Sequence, residues 1–290
     1  MNRRPIAAAA RIVAAALLLA LAAPGQQPLI SLTGDAGLCT RSWDSSRGLP
    51  QNSVNALQQA RDGAMWIATF GGLAQFDGRD WQTVDPASTP GLPESRVLAL
   101  AEGPDGALWI GTEHGAVVRL VNGRVETITQ FDGVAVAALH VLSETSVLAA
   151  TPRDVFVVGR DGSVAPFAAL PVPLVQAFAP CGELALAAGR SGLWRLGAGT
   201  AERLRAEPSR CLALFADGGI ALGEDRGVVR AARLGEPFEP LRLPEPAAGE
   251  PVESLLVHEG ALWIAAGARL LRCADGEPVE IARCARPIQT

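Results

Sequence analysis

The chain has 290 residues, a formal net charge of −5 at pH 7 and an apolar content of 49%. This length allows one large or two small domains with a substantial core. A net negative charge is not typical of proteins that bind nucleic acids, so we expect no nucleic-acid partner.

The N-terminal segment 1–22 has the features of a secretory signal peptide. Three arginines flank or interrupt the apolar run IAAAARIVAAALLLALAA, which ends in the small-residue pattern Ala20-Leu21-Ala22. We expect cleavage near Ala22, a linker over 23–37 and a periplasmic or secreted protein. A membrane anchor is the alternative, but the uninterrupted apolar run after Arg11 is about a dozen residues, short of the roughly 20 that span a bilayer. No later segment predicts a transmembrane helix.

A sequence repeat begins at the first Gly-Leu-Pro. Residues 48–72 read GLPQNSVNALQQARDGAMWIATFGG, and residues 91–115 read GLPESRVLALAEGPDGALWIGTEHG. Four weaker copies follow, and the six units are about 35 to 43 residues apart. This spacing is the period of four-stranded propeller blades.

Each unit reads as four strands. In the second unit, SRVLALAE and ALWIGT are apolar runs of strand length around a PDG turn, and AVVRLV and RVETIT flank an Asn-Gly hairpin turn. Sustained helical spacing of apolar residues is missing throughout. We therefore predict an all-β fold, a β-propeller of six four-stranded blades over 38–285 with a tail at 286–290; seven blades is the alternative. The segment LCTRSWD at 38–44 is expected to complete or thicken the last blade.

The tryptophans predict packing rather than binding. Trp66, Trp109 and Trp263 share one repeat position, and we expect them to pack between blades. Trp43, Trp81 and Trp194 fall on predicted outer strands, where peripheral packing is expected unless a jointly exposed cluster forms a partner patch.

One end of the ring is the candidate binding surface. In an up-and-down blade, the loop into the first strand and the loop between the second and third strands lie at the same end. That end carries the Gly-Leu-Pro loops, and we call it the Gly-Leu-Pro face. Its arginines and carboxylates suit a small polar ligand, such as a saccharide or an anionic metabolite, through charge-assisted hydrogen bonds. The candidate ligand-binding residues are Gln51, Asn52, Glu94, Arg96, Glu113, His114, Arg153, Arg190, Arg210, Glu224 and Arg226.

The strongest copies of the repeat also resemble a known family. GLPQNSVNALQQARDGAMWIATFGGLAQFDGRDW is similar to the two-component regulator propeller repeat, found in periplasmic sensor regions of hybrid histidine kinases and sensory diguanylate cyclases. The resemblance implies a non-enzymatic module of a bacterial signal transduction system, which binds a ligand or docks on a membrane sensor protein. Family members usually continue into a further β domain, a membrane helix and an output domain. Because those are not found before Thr290, a truncated sensor ectodomain is an alternative.

An enzyme is a further alternative. No catalytic motif occurs, so we expect no catalytic residues, no cofactor and no metal site. However, DGALWIGTEHG is also similar to repeats of streptogramin B lyases, propellers that open a cyclic depsipeptide using a metal with His and Glu. Glu113 and His114 are an adjacent pair of that kind. The lyase repeat normally continues into an Asn-x-Ile-Gly-Arg run, which is absent here.

The five cysteines predict one disulfide. No Cys-x-x-Cys pair suggests zinc or redox chemistry, and an exported protein permits disulfides. Closing the ring brings Cys39 near Cys284 or Cys273, and we expect it to pair with one of them.

Overall fold

The computed structural model describes residues 31–32, 43–168, 172–181, 184–197, 199–245, 247–274 and 276–284. All regular secondary structure in these ranges is β-strand, which confirms the all-β prediction. The predicted signal peptide and Cys39 lie outside the described residues. No helix that could cross a bilayer occurs in the described part of the chain.

The first three blades are sheets of four consecutive antiparallel strands. The first blade contains β2 (Val54–Gln59), β3 (Met65–Thr69), β4 (Gly72–Phe76) and β5 (Trp81–Val84). The second contains β6 (Val97–Glu102), β7 (Leu108–Thr112), β8 (Ala116–Val121) and β9 (Arg124–Gln130). The third contains β10 (Ala138–Ser143), β11 (Ser146–Ala150), β12 (Val155–Gly159) and β13 (Val164–Pro166).

The other three blades repeat the same strand order. The fourth contains β14 (Val175–Cys181), β15 (Leu184–Gly189), β16 (Gly192–Gly197) and β17 (Thr200–Arg205). The fifth contains β18 (Cys211–Leu214), β19 (Ile220–Glu224), β20 (Gly227–Ala231) and β21 (Glu239–Leu241). The sixth contains β22 (Val252–His258), β23 (Ala261–Ala266), β24 (Arg269–Cys273) and β25 (Val279–Arg283). The prediction of six blades is confirmed for the described residues.

The sixth sheet has a fifth strand from the N-terminal part of the chain. β1 (Ser31–Leu32) pairs antiparallel with the outer strand β25. The last blade is therefore thickened by two residues of the predicted linker. Residues 38–42 lie outside the described residues, so the expectation that 38–44 completes or thickens this blade stays a prediction. Trp43 packs against the first blade, with ring centroids 5.3 Å from Phe76 and 5.8 Å from Trp81.

The core consists of layers between neighbouring blades, because successive side chains of a strand point to opposite faces of its sheet. Along β3, Ile67 packs with Ala265 of the sixth blade, whereas Ala68 packs with Ile110 of the second. Apolar clusters of the same kind fill the other four junctions. A single sheet leaves both faces exposed, so the ring is what allows every blade to bury them.

The tryptophans of the repeat position pack as predicted at two junctions. Trp109 is completely buried between the second and third blades, and Trp66 packs between the first and second. Trp263 is also buried, where it lies among residues of its own blade such as Leu270 and Ile281.

Aspartates of the Asp-Gly turns cap the end of the ring opposite the Gly-Leu-Pro face. Asp62 Oδ1 accepts a hydrogen bond from the Ala64 amide at 2.9 Å, and Asp217 Oδ1 accepts one from the Gly219 amide at 3.0 Å. Asp and Gly therefore occur there because the carboxylate satisfies the turn amide and glycine adopts positive φ.

The described cysteines are packing residues of the blades. Cys284 is buried at the junction of the sixth and first blades, and burial raises the pKa of its thiol. Burial also raises the pKa of Cys211 to about 12, so its thiol stays protonated at neutral pH. The pairing of Cys39 with Cys284 or Cys273 stays a prediction, which peptide mapping under non-reducing conditions tests.

Candidate functional site

Two kinds of loop meet at the Gly-Leu-Pro face. Within a blade, the residue after the second strand donates a backbone hydrogen bond to the residue before the first strand. Glu113 N donates to Arg96 O at 2.9 Å in the second blade, and Arg190 N donates to Leu174 O at 3.1 Å in the fourth. This recurring bond holds the side chains of the two loops next to each other.

A threonine at the end of the second strand shapes the loop between the second and third strands. Thr69 and Thr112 are both completely buried. Thr69 Oγ1 donates to the Gly72 carbonyl oxygen at 2.8 Å, and Thr112 Oγ1 accepts from the Ala116 amide at 2.8 Å. Because the threonine closes the loop, the two residues that follow it are presented at the surface.

A β-bulge at the start of the first strand directs further side chains across blade junctions. In the first blade the register shifts between Val54 and Ala56, and the Asn55 amide donates to the Val97 carbonyl oxygen of the second blade at 2.7 Å. The equivalent residue of the sixth blade is Glu253, which reaches back to the fifth blade.

Arg96 and Glu113 satisfy each other in the second blade. The Arg96 guanidinium binds both carboxylate oxygens of Glu113, and it also lies over the Phe70 ring of the first blade, 4.4 Å from the centroid. Both charges of this pair are therefore already neutralised.

Glu94 and His114 form a second, separate pair. Glu94 Oε1 accepts from the His114 backbone N–H at 3.0 Å, and Glu94 Oε2 lies 2.6 Å from His114 Nδ1. Glu113 and His114, adjacent in sequence, thus turn to different partners. Among the described residues, no group of three or more His, Cys, Asp or Glu side chains is placed to hold a metal ion.

Arg210 links the fifth and sixth blades. It donates to Asp225 of its own blade at 3.1 Å and to Glu253 of the sixth blade at 2.6 Å. Burial acts to lower the pKa of Arg210, but the hydrogen bonds to Glu253 and Asp225 outweigh it and raise that pKa. Glu224 is paired in the same region with Arg205, the last residue of β17.

Gln51 and Asn52 fold back on their own loop. Gln51 Oε1 accepts from the Ser53 amide at 2.6 Å, and Asn52 Oδ1 accepts from the Ser45 amide at 2.7 Å. Both side chains shape the first Gly-Leu-Pro loop.

Three predicted residues differ from all the others. Arg153, Arg190 and Arg226 are exposed, and within the described ranges none of their side chains has an ion-pair or hydrogen-bond partner. They lie in the loops between the second and third strands of the third, fourth and fifth blades. Three consecutive blades thus present unpaired guanidinium groups on one side of the Gly-Leu-Pro face.

Sequence reasoning missed three residues that shape this face: Arg205 and Glu253, which neutralise predicted residues, and the exposed Leu174. Leu174 stands out when the residues that precede the first strand of each blade are aligned. Arg96, Leu174 and Arg210 occupy that position in the second, fourth and fifth blades.

Comparison with known proteins supports the resemblance of the repeats. A family model described as the two component regulator propeller matches residues 48–71 and 91–114. No curated protein matches the chain.

The solved structures that share the fold include two kinds of protein. One is described as the extracellular domain of a hybrid two component system, BT3049, from B. thetaiotaomicron: TM-score 0.64, 15% identity, 76% of this chain covered. The chain spans only 32% of that structure's length. The other is YCF48 from Cyanidioschyzon merolae, with a TM-score of 0.59 and 13% identity over 80% of this chain and 84% of that one. A further YCF48 structure, bound to a D1 peptide, has a TM-score of 0.59 and 13% identity over 78% of this chain and 81% of that one.

At these identities the solved structures establish the fold alone, whereas the family model identifies the repeat. Residues 48–71 and 91–114 of this six-bladed propeller therefore match the repeat of the two component regulator propeller.

Proposed function

We propose that this chain is an exported, non-enzymatic recognition domain of a bacterial signalling system, and that it binds an anionic ligand on the Gly-Leu-Pro face. The family repeats support the signalling context, since the family is described as a two-component regulator propeller. In that context, the propeller with its ligand bound docks on a membrane sensor protein.

The observation that carries the proposal is the contrast between two sets of arginines. Arg96, Arg205 and Arg210 are held by carboxylates of this chain. Arg153, Arg190 and Arg226 have no such partner among the described residues, although they lie in loops of the same face. A guanidinium binds carboxylate or phosphate oxygens through two parallel hydrogen bonds. An anionic ligand would therefore pair with the guanidinium groups of these three arginines.

Electrostatic selectivity follows from this arrangement. A sugar acid or an organic acid should bind, while its uncharged counterpart should not. Since the arginines are exposed, binding should weaken as ionic strength rises, because salt screens charges separated by water.

The test is thermal unfolding with matched pairs of ligands, such as galacturonate against galactose and gluconate against glucose. We expect only the charged member of a pair to raise Tm, since ligand at 100 times its Kd adds about 2.7 kcal/mol to stability. Mass spectrometry of the recovered ligand should find it unchanged. The substitutions Arg153→Gln, Arg190→Gln and Arg226→Gln should each weaken the shift.

Arg124→Gln is the matched control. Arg124 is exposed at the start of β9, next to the Asn-Gly turn on the opposite face, so its loss leaves the proposed surface intact. Equal shifts with charged and neutral ligands, or an equal effect of Arg124→Gln and Arg190→Gln, would contradict the proposal.

A further inference from the structure

Leu174 has an unusual backbone for its residue type. Its φ is +58°, in the left-handed region that bulky side chains rarely adopt. Its side chain is nevertheless 43% exposed, so burial of the leucine does not account for this conformation. Strained, exposed residues of this kind are concentrated at binding sites.

The position of Leu174 has a regular counterpart in two other blades. Before the first strand of the second and fifth blades stand Arg96 and Arg210, and each binds a carboxylate of the next loop in its own blade, Glu113 or Asp225. The fourth blade departs from this pattern at both places. Leu174 replaces the arginine, and Arg190 replaces the carboxylate.

Two backbone hydrogen bonds connect Leu174 to the loops of Arg153 and Arg190, whose side chains have no partner among the described residues. Its N–H donates to the Pro152 carbonyl oxygen of the third blade at 3.2 Å, and Pro152 immediately precedes Arg153. Its own carbonyl oxygen accepts from the Arg190 amide at 3.1 Å. A Cβ at Gly189 would approach that oxygen to 1.9 Å, so glycine is required there for Leu174 to lie where it does.

At the junction of the third and fourth blades, an exposed leucine is therefore joined through its backbone to two loops that each carry an exposed arginine. We infer that Arg153, Leu174 and Arg190 bind a small dicarboxylic acid whose carboxylates are joined by an aliphatic chain. The carboxylates pair with the guanidinium groups, and the chain covers Leu174. A polyhydroxylated diacid fits less well, because its hydroxyl groups lose water against the leucine without gaining hydrogen bonds. This inference rests on the proposed function and identifies its ligand class.

Adipate and glucarate give the direct test, since both are six-carbon dicarboxylates and differ in four hydroxyl groups. Calorimetric titration of the protein should give a Kd for adipate about tenfold lower than for glucarate, because adipate buries more apolar surface. Arg190→Gln should abolish binding of both. Arg124→Gln, on the opposite face of the ring, should leave adipate binding unchanged.

Leu174→Asn separates binding from folding. Asparagine tolerates the left-handed conformation better than leucine, so this variant should unfold at an equal or higher temperature than the wild type. It should also lose the preference for adipate. A destabilised fold cannot explain that pair of results, since stability and selectivity change in opposite directions.

The outcomes also separate this inference from the proposed function. If adipate and glucarate bind equally well, or if binding depends on Arg226 rather than Arg190, the inference is wrong while the anion-binding function stands. If an acidic peptide such as Glu-Leu-Glu binds and adipate does not, the small-molecule assignment is overturned. If no anion binds to the wild-type protein, the proposed function fails as well.

Discussion

Gly192→Ala is expected to lower the free energy of unfolding by about 4 kcal/mol or more. Gly192 begins β16 with a φ of +103°, which side chains other than hydrogen rarely allow. A Cβ there would also lie 2.1 Å from the carbonyl oxygen of Arg205, on the neighbouring strand. Because that obstacle is backbone rather than the end of a flexible side chain, β16 and β17 would have to separate.

Gly227→Ala is the matched control for this effect. Gly227 begins β20 with a φ of +120°, and a Cβ at that position meets nothing within 4 Å. Its replacement should cost only the backbone strain, about 1–3 kcal/mol. Urea unfolding of both variants measures the difference. Equal losses would mean that strain alone explains the requirement for glycine at Gly192.

The fold was predictable because its signals are local and repeated. An Asp-Gly turn fixes a hairpin within a few residues, and Thr69 and Thr112 close equivalent loops by contacts no more than four residues away. The pairing of β1 with β25 was not predictable in register. Two residues carry no alternation pattern, so nothing in Ser31–Leu32 distinguishes a strand from a linker.

The end of the ring at which the candidate residues lie was predictable, but the ion pairing of their side chains was not. The up-and-down order of a blade fixes the direction of each of its strands. This direction alone puts Arg153, Arg190 and Arg210 at the same end of the ring. Whether each arginine is already paired depends on contacts between distant segments, and Arg210 reaches Glu253 across 43 positions of sequence. Alignment of the blades recovers part of this information, because it predicts an ion pair for Arg96 with Glu113 and none for Arg190.

Asp105→Ala is expected to destabilise the protein by about 3–5 kcal/mol, because it leaves a buried cation without its partner. Arg119 is only 3% exposed, and its Nη2 binds Asp105 Oδ2 at the end of the ring opposite the Gly-Leu-Pro face. Arg119 Nε has no partner among the described residues, so the carboxylate of Asp105 is the main compensation for the buried charge.

The matched control is Asp62→Ala in the first blade. Both aspartates cap an Asp-Gly turn, Asp62 through Ala64 N and Asp105 through Ala107 N. The residue that matches Arg119 in the first blade is the uncharged Gln75, so Asp62→Ala should cost only the turn hydrogen bond, about 1 kcal/mol. Pairing Asp105→Ala with Arg119→Met should recover most of the loss, because no buried charge is then left alone.

The same ion pair predicts how stability depends on pH. Burial acts to raise the pKa of Asp105, but the hydrogen bond from Ala107 N and the interaction with Arg119 outweigh it and lower that pKa below the ordinary value of 3.8. Since the folded state holds the proton more weakly than the unfolded state, this stabilisation is complete well above pH 3.8 and is lost as the pH falls through the folded pKa. Urea unfolding between pH 6 and 2.5 should therefore show the gap between wild type and the Asp105→Ala/Arg119→Met variant narrowing toward low pH. A constant gap would mean that Asp105 contributes to packing and not through its charge.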